Sequence, residues 1–388
     1  PPPLVSHRFR GRSLQRISLA APTDDPGTWV ASELGGADPG VVNAAEPGPR
    51  PVVVALSLRD PVGQPLRPDT PLRIALRLNG APVQGLRLEW WADDLGSTGE
   101  PVESVPLDEE GDERVATLPS QPDGTILRLR VAADGDGGLA VLSPRPGDPA
   151  PWHVAFVGVP PPGQTPAYQL FIAPDDWTSL WDGTADNRVV GCEPNPTWND
   201  QVPAVFVDAD GAAFDVFTRY QGSRWNRRNG QALSAWTAPG PARPAPVRAL
   251  SWRVAFPAYA PLDGDKGTVA LNKLSQSCPG LSTAVGFALF AEAGLPVPRV
   301  RYRRLFINGG YYHYTQEIEG PDEGMMERYH DAQAASGSSA PLEPGAGHLF
   351  KAAGCNCDEG PFGWADGRVL EPHCGYSKEE RYAATYDR

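Results

Sequence analysis

The chain has 388 residues, 34 basic and 47 acidic side chains for a net charge of −13, and 44 prolines beside 42 glycines. That length leaves room for two to three domains of about 150 residues, each with a real core. A hydrophobic share of 40% with 11 Trp excludes general disorder. The recurrent prolines exclude a mostly helical chain, and the acidity disfavours non-specific binding to nucleic acid or an anionic membrane surface. No apolar run reaches the roughly 18 residues of a membrane span, since the best stretch, 281–297, is broken by Glu292 and Gly294. The chain opens on Pro1 with no signal-peptide pattern, which reads as a mature product or a fragment.

In chain order, residues 1–50 hold a short strand-like piece and a stretch rich in Pro, Gly, Ala and Asp. Residues 51–159 alternate apolar and polar positions between turn signals. Strands are expected at 52–58, 72–78, 86–91, 115–118, 126–132 and 152–157, separated by Pro61-Val62-Gly63, Asn79-Gly80, Glu110-Gly111, Asp123-Gly124 and Asp134-Gly135. Short, evenly spaced strands of this kind predict an Ig-like β-sandwich over 51–159. Pro160-Pro161-Pro162-Gly163 opens a stiff linker over 160–166. Beyond it, strands are expected at 168–172, 204–207, 214–220 and 251–256. A helix is expected after a Ser282 cap, with Ala284, Val285, Ala288 and Leu289 as its apolar face and Gly294 and Pro296 as its stop. A hairpin follows, 300–307 and 311–318 about an Asn308-Gly309-Gly310 turn. Residues 331–347 read as a polar loop. Ser377 to Glu380 has capping-box spacing, so the chain ends inside a new helix, as a truncated piece would.

Two stretches resemble known families. Gly11-Arg12-Ser13-Leu14-Gln15-Arg16-Ile17, then Trp29-Val30-Ala31-Ser32 and Pro39-Gly40, resemble the last part of a lamin-tail domain, a module of secreted bacterial proteins. Residues 167–388 resemble the N-terminal part of the spore-coat protein H (CotH) kinase family through elements in fixed order. These are Tyr168 to Ile172 with Trp177, then Arg219 with Gly222-Ser223-Arg224, then Leu250-Ser251-Trp252-Arg253-Val254-Ala255-Phe256. Ala293-Gly294-Leu295-Pro296-Val297-Pro298 follows, then the Asn308-Gly309 hairpin ending in Glu317, and last His348-Leu349-Phe350-Lys351. The family's first Lys in the second strand is Leu250 here, while Arg253 keeps the later basic site.

The resemblance implies an atypical protein-kinase-like N-lobe and the start of a C-lobe. It implies binding of ATP with Mg2+ or another divalent metal, and phosphoryl transfer to Ser or Thr of a protein substrate such as a coat or cell-surface protein. The catalytic base and metal ligands of the family lie beyond the matched segment, so no catalytic residue and no metal ligand is expected in this chain. Arg219, Gly222, Ser223 and Arg224 are the candidate phosphate contacts, because a glycine admits backbone amides and Arg offers a bidentate fork. Arg253, with Lys273 as a second cation, is expected to reach the phosphates and to pair with Glu292, as the strand Lys of a kinase pairs with a helix carboxylate. The strand end at Glu317 is expected to meet adenine.

Five cysteines, an odd number, leave at least one outside intramolecular pairs. Cys355 or Cys357 with Cys374, and Cys192 with Cys278, are disulfide candidates. Zinc held by ligands from Cys355, Cys357 and His373-Cys374 with His348, and free thiols, are the alternatives. Asp208-Ala209-Asp210-Gly211 lacks the spaced carboxylates of a calcium loop and reads as a tight turn. Trp90 and Trp91 are adjacent on a strand, so one is expected in the core and the other outside. An exported, cell-surface protein follows from the modules. The competing reading is a noncatalytic surface or coat scaffold, and a glycan-binding surface on an exposed Trp is a third.

Overall fold

The computed structural model describes residues 14–16, 29–31, 52–58, 65–79, 83–96, 99–135, 138–144, 150–183, 200–221, 250–257, 260–264, 266–273, 280–320 and 323–336. Strands dominate. β1 (Leu14–Arg16) and β2 (Trp29–Ala31) form an antiparallel pair. Nine strands follow: β3 (Val52–Ser57), β4 (Leu72–Asn79), β5 (Arg87–Asp93), β6 (Glu103–Pro106), β7 (Asp108–Glu110), β8 (Glu113–Leu118), β9 (Thr125–Gly135), β10 (Gly138–Ser143) and β11 (His153–Val157). They make a four-stranded sheet in the order β3-β4-β8-β7 and a five-stranded sheet in the order β10-β9-β5-β6, with β11 also paired to β9.

Alternation along each strand explains how these two sheets share a core. Leu72, Ile74 and Leu76 on β4 meet Leu88 and Trp90 on β5 and Leu127, Leu129 and Val131 on β9 in one buried cluster. The residues between them face outward, as a pleat of period two requires. Trp90 is therefore core, while Trp91 packs outside against Trp152 at 5.1 Å between ring centroids. The six expected strands are all present. β6, β7 and β10 are additional: Glu-Ser-Val-Pro and Asp-Glu-Glu carry no apolar alternation, and Gly-Leu-Ala-Val-Leu-Ser is an unbroken apolar run without alternation.

Residues 167–320 close into a barrel. Its strands are β12 (Ala167–Phe171), β13 (Val202–Val207), β14 (Ala213–Gln221), β15 (Ser251–Ala255), β16 (Thr268–Lys273), β17 (Val300–Ile307) and β18 (Gly310–Glu319). The order round the barrel is β12-β13-β14-β15-β16-β18-β17, closed by parallel pairing of β17 with β12. α1 (Pro174–Gly183) follows β12, α2 (Ser282–Glu292) lies between β16 and β17, and α3 (Glu323–Ser336) follows β18. Trp177 of α1 caps one mouth, donating to the Tyr220 hydroxyl at 3.1 Å beside Trp252 and Tyr312. The β17–β18 hairpin turns on Asn308 and Gly309, both at positive φ (47° and 78°), as an Asn-Gly turn favours. Asp208 folds its own turn by accepting the amides of Asp210 and Ala212 at 2.9 and 2.8 Å.

Three expectations are corrected here, and two elements are additional. α2 has Leu281 at its N-cap with no side-chain cap, so Ser282 is its first helical residue rather than the cap. Its apolar residues are not buried among the described residues: Val285 and Leu289 are 52% and 66% exposed. Residues 331–336 are helix, the end of α3, and not loop, because Ala and Gln in that stretch continue the turn set by Met325 and Arg328. β16 and α1 were not anticipated. The polar Asn272 and Lys273 hide the apolar positions Val269 and Leu271, and the isolated Trp177 and Leu180 of α1 make too short an apolar face.

The sandwich and the barrel are joined by more than their connection. Ile126 and Phe156 of the sandwich pack with Phe171, Val205 and Val207 of the barrel in one buried cluster. Arg128 reaches across to Asp215 at 2.6 Å while holding Asp93 at 2.7 Å. The proline linker is clamped by Arg304, which donates to the carbonyls of Pro161, Pro162 and Thr165 at 2.7, 2.6 and 2.8 Å.

Candidate functional site

The site builds from the alternation of β14 and β15. Phe214, Val216 and Tyr220 point into the barrel core, as do Trp252 and Val254. Arg219 and Arg253 therefore point outward, and the register pairs them directly across the two strands. Like charges placed opposite each other in this way are destabilising by a few tenths of a kcal/mol or more. Neither has an ion-pair partner among the described residues. Arg219 donates to the carbonyl of Tyr220 at 3.0 Å, and the Nε of Arg253 is buried without a hydrogen-bond partner. Burial first, and then the charge of Arg253, pull the pKa of Arg219 below its ordinary value. Two arginines at facing register positions on one outer face are able to take an anion such as phosphate in the fork of either guanidinium.

The other expected contacts fall in different places. Gly222, Ser223 and Arg224 follow β14 directly in sequence and lie outside the described residues, as do Cys192, Cys278, Cys355, Cys357, Cys374 and Lys351. Lys273 is not brought to the arginine pair. Arg253 pairs with Ala270, and Lys273 is three residues further on, hence on the opposite face of β16. It sits near His313, whose pKa is lowered by burial and then by Lys273. Glu292 is exposed at the last residue of α2 and makes no ion pair with Arg253 or Lys273 among the described residues.

Glu317 is inside the barrel. Its carboxylate, 2% exposed, accepts from the Tyr168 hydroxyl at 2.7 Å and from Lys266 at 2.6 Å, and Arg303 lies 3.1 Å away. Lys266, itself 1% exposed, also reaches Asp263 at 2.7 Å, which Arg301 holds at 2.9 Å. This charged plug closes the barrel mouth opposite to α1. Burial, and then the neighbouring Glu317, raise the pKa of the Tyr168 phenol. Sequence reasoning did not find Lys266, because 51 residues separate it from its partner and no local pattern links them.

Beside the arginine pair runs a groove of about 300 Å³ between the sandwich and the barrel. Asp215 and Phe217 of β14 form its floor, Asp176 of α1 and Pro203 of β13 one wall, and Leu95 and Arg128 of the sandwich the other. Phe217 is 54% exposed. Burial opposes the charge of Arg128, but Asp215 and Asp93 outweigh it and hold its pKa above the ordinary value. Burial, and then Asp175, raise the pKa of Asp176.

No family model matches the chain, and no curated protein matches it. Among solved structures, the fibronectin type III domain of human collagen α-1(XX) chain is similar at 21% identity and a TM-score of 0.19, covering 30% of this chain and 92% of that one. The twitchin kinase region of C. elegans is similar at 8% identity and a TM-score of 0.15, covering 66% of this chain and 39% of that one. Likenesses this low carry no argument about function. No helix among the described residues is long and apolar enough to cross a membrane.

Proposed function

We propose that the barrel is the nucleotide-holding lobe of a CotH-type atypical protein kinase, and that the intact protein transfers the γ-phosphoryl group of ATP to Ser or Thr of a protein substrate. The observation that carries this reading is the Arg219–Arg253 pair: two cations on one outer face with no carboxylate to neutralise them among the described residues, and a buried Nε of Arg253 without a partner. The residues fit a polyphosphate. Each guanidinium donates to phosphoryl oxygens, and the pair offsets negative charge that builds up as the phosphoryl group leaves. The order of elements also supports the reading. Three meandering strands, β14-β15-β16, precede α2, and the hairpin after it returns its last strand beside β16. Among the described residues no three His, Cys, Asp or Glu side chains converge to hold a metal ion.

The test is ATP binding by the full chain. Arg253→Ala removes one charge-assisted contact and is expected to weaken ATP about tenfold to a hundredfold. Unchanged affinity in this variant removes the pair from the site. The noncatalytic scaffold stays as the second reading on one observation: Glu292 does not pair with either cation, so the helix contact expected of an active lobe is not formed among the described residues.

A further inference from the structure

The groove between sandwich and barrel and the arginine pair lie on one continuous face. Phe217 faces outward on β14, opposite Ala255 of β15, and Arg219, two residues on, faces outward opposite Arg253. Two residues along a strand span about 7 Å. The groove floor and the anion receptor are thus neighbouring rungs of the same two strands. The groove is apolar along Leu95, Pro203 and Phe217 and polar at Asp176, Arg128 and Asp215. A ligand that fills both places is flat and largely apolar at one end, with hydrogen-bonding edges, and anionic about 7 Å away.

We propose that the groove receives the base of the nucleotide whose phosphates Arg219 and Arg253 hold, so that the β-sandwich supplies one wall of the ligand site. This rests on the nucleotide reading above and departs from the placement of adenine at the strand end near Glu317. The expected contact there is through backbone groups, and Glu317 is flanked in the barrel ladder by Leu271 on one side and Arg301 on the other. Phe217, more than half exposed, offers a ring face on which a base stacks. The sandwich is then no detachable adaptor. Leu95 and Arg128 complete the pocket, and the Arg128–Asp215 ion pair holds the two walls in register.

The test compares ATP with inorganic triphosphate by titration calorimetry on the full chain. Phe217 is exposed, so Phe217→Ala leaves the fold intact. It is expected to weaken ATP about tenfold and to leave inorganic triphosphate unchanged, because only the nucleotide stacks. Leu95→Ala, on the sandwich wall, is expected to act in the same direction with a smaller effect. Arg253→Ala weakens both ligands. If ATP binds with unchanged affinity in both groove variants while Arg253→Ala weakens ATP and triphosphate alike, the base lies elsewhere and this inference fails, while the phosphate site stands. If the wild-type chain binds neither ligand, the nucleotide reading fails and this inference with it.

Discussion

The buried plug at the barrel mouth makes the sharpest stability prediction. In Glu317→Gln the carboxylate becomes neutral, while Lys266 stays 1% exposed with only the partly exposed Asp263 beside it. Removing one partner of a buried ion pair costs about 3–5 kcal/mol, since the remaining charge keeps its desolvation penalty without compensation. Here Tyr168 and Arg303 lose their charged acceptor as well. For a barrel of this size the loss lowers the melting temperature by about 10 °C. The double variant Lys266→Met with Glu317→Leu removes the Lys266 charge together with its partner and is expected to recover about half of that loss, the rest staying with Arg303 and Tyr168, which still lack their acceptor. Unfolding in urea, followed by tryptophan fluorescence, reports the barrel through Trp252 and Trp177, 0% and 2% exposed in its core, once Trp90, Trp91 and Trp152 of the sandwich are replaced by Phe in wild type and variants alike. If the single variant costs less than about 1 kcal/mol, or the double variant costs the sum of its two singles, the pair does not act as a unit and the reasoning is wrong.

Two further perturbations probe the sandwich and its junction. Burial holds the pKa of His153 at about 4 against an ordinary 6.5, with the Ser143 hydroxyl 2.8 Å from its Nε2. The folded state therefore binds fewer protons than the unfolded state between those values. Stability is full above the unfolded value and falls as the pH drops toward the folded one, by about 3 kcal/mol in all. His153→Gln should flatten that part of the profile, and parallel profiles for the two proteins would discard the assignment. Arg128→Ala leaves Asp93 and Asp215 without their shared cation across the junction and should cost about 2 kcal/mol. Differential scanning calorimetry should then resolve separate transitions for sandwich and barrel, and an unaltered single transition would show that the apolar cluster alone joins them.

What could be read from the sequence followed from distance along the chain. Strands whose apolar residues alternate, such as β4 and β9, announced themselves, because burial on one face needs nothing but local spacing. The β17–β18 turn did so too, since Asn308 and Gly309 take the positive φ that an Asn-Gly pair tolerates. β6 and β7 were illegible because they are held by pairing with β5 and β8 rather than by an apolar face of their own. In the site, Arg219 and Arg253 were each identifiable as cations on strands. Their meeting was not, because it depends on the register of β14 against β15 across the intervening residues. The expected Arg253–Glu292 pair shows the converse error. The kinase resemblance matches a helix carboxylate to a strand cation, and the helix places Glu292 at its exposed end.

The two charged assemblies of the barrel differ in a way that separates structure from function. Inside, every cation near Glu317 has an acceptor: Lys266 reaches Glu317 and Asp263, Arg301 reaches Asp263, and Arg303 reaches Glu317. Such a network contributes its interactions in the folded chain alone. Outside, Arg219 and Arg253 face each other across the two strands with no carboxylate beside them among the described residues, so the fold gains nothing from their proximity. Positions that lower stability in this way acquire a use when an anion arrives, since binding relieves the repulsion. An anion should therefore raise the melting temperature of the wild-type chain and have no such effect on a variant in which both arginines are neutral.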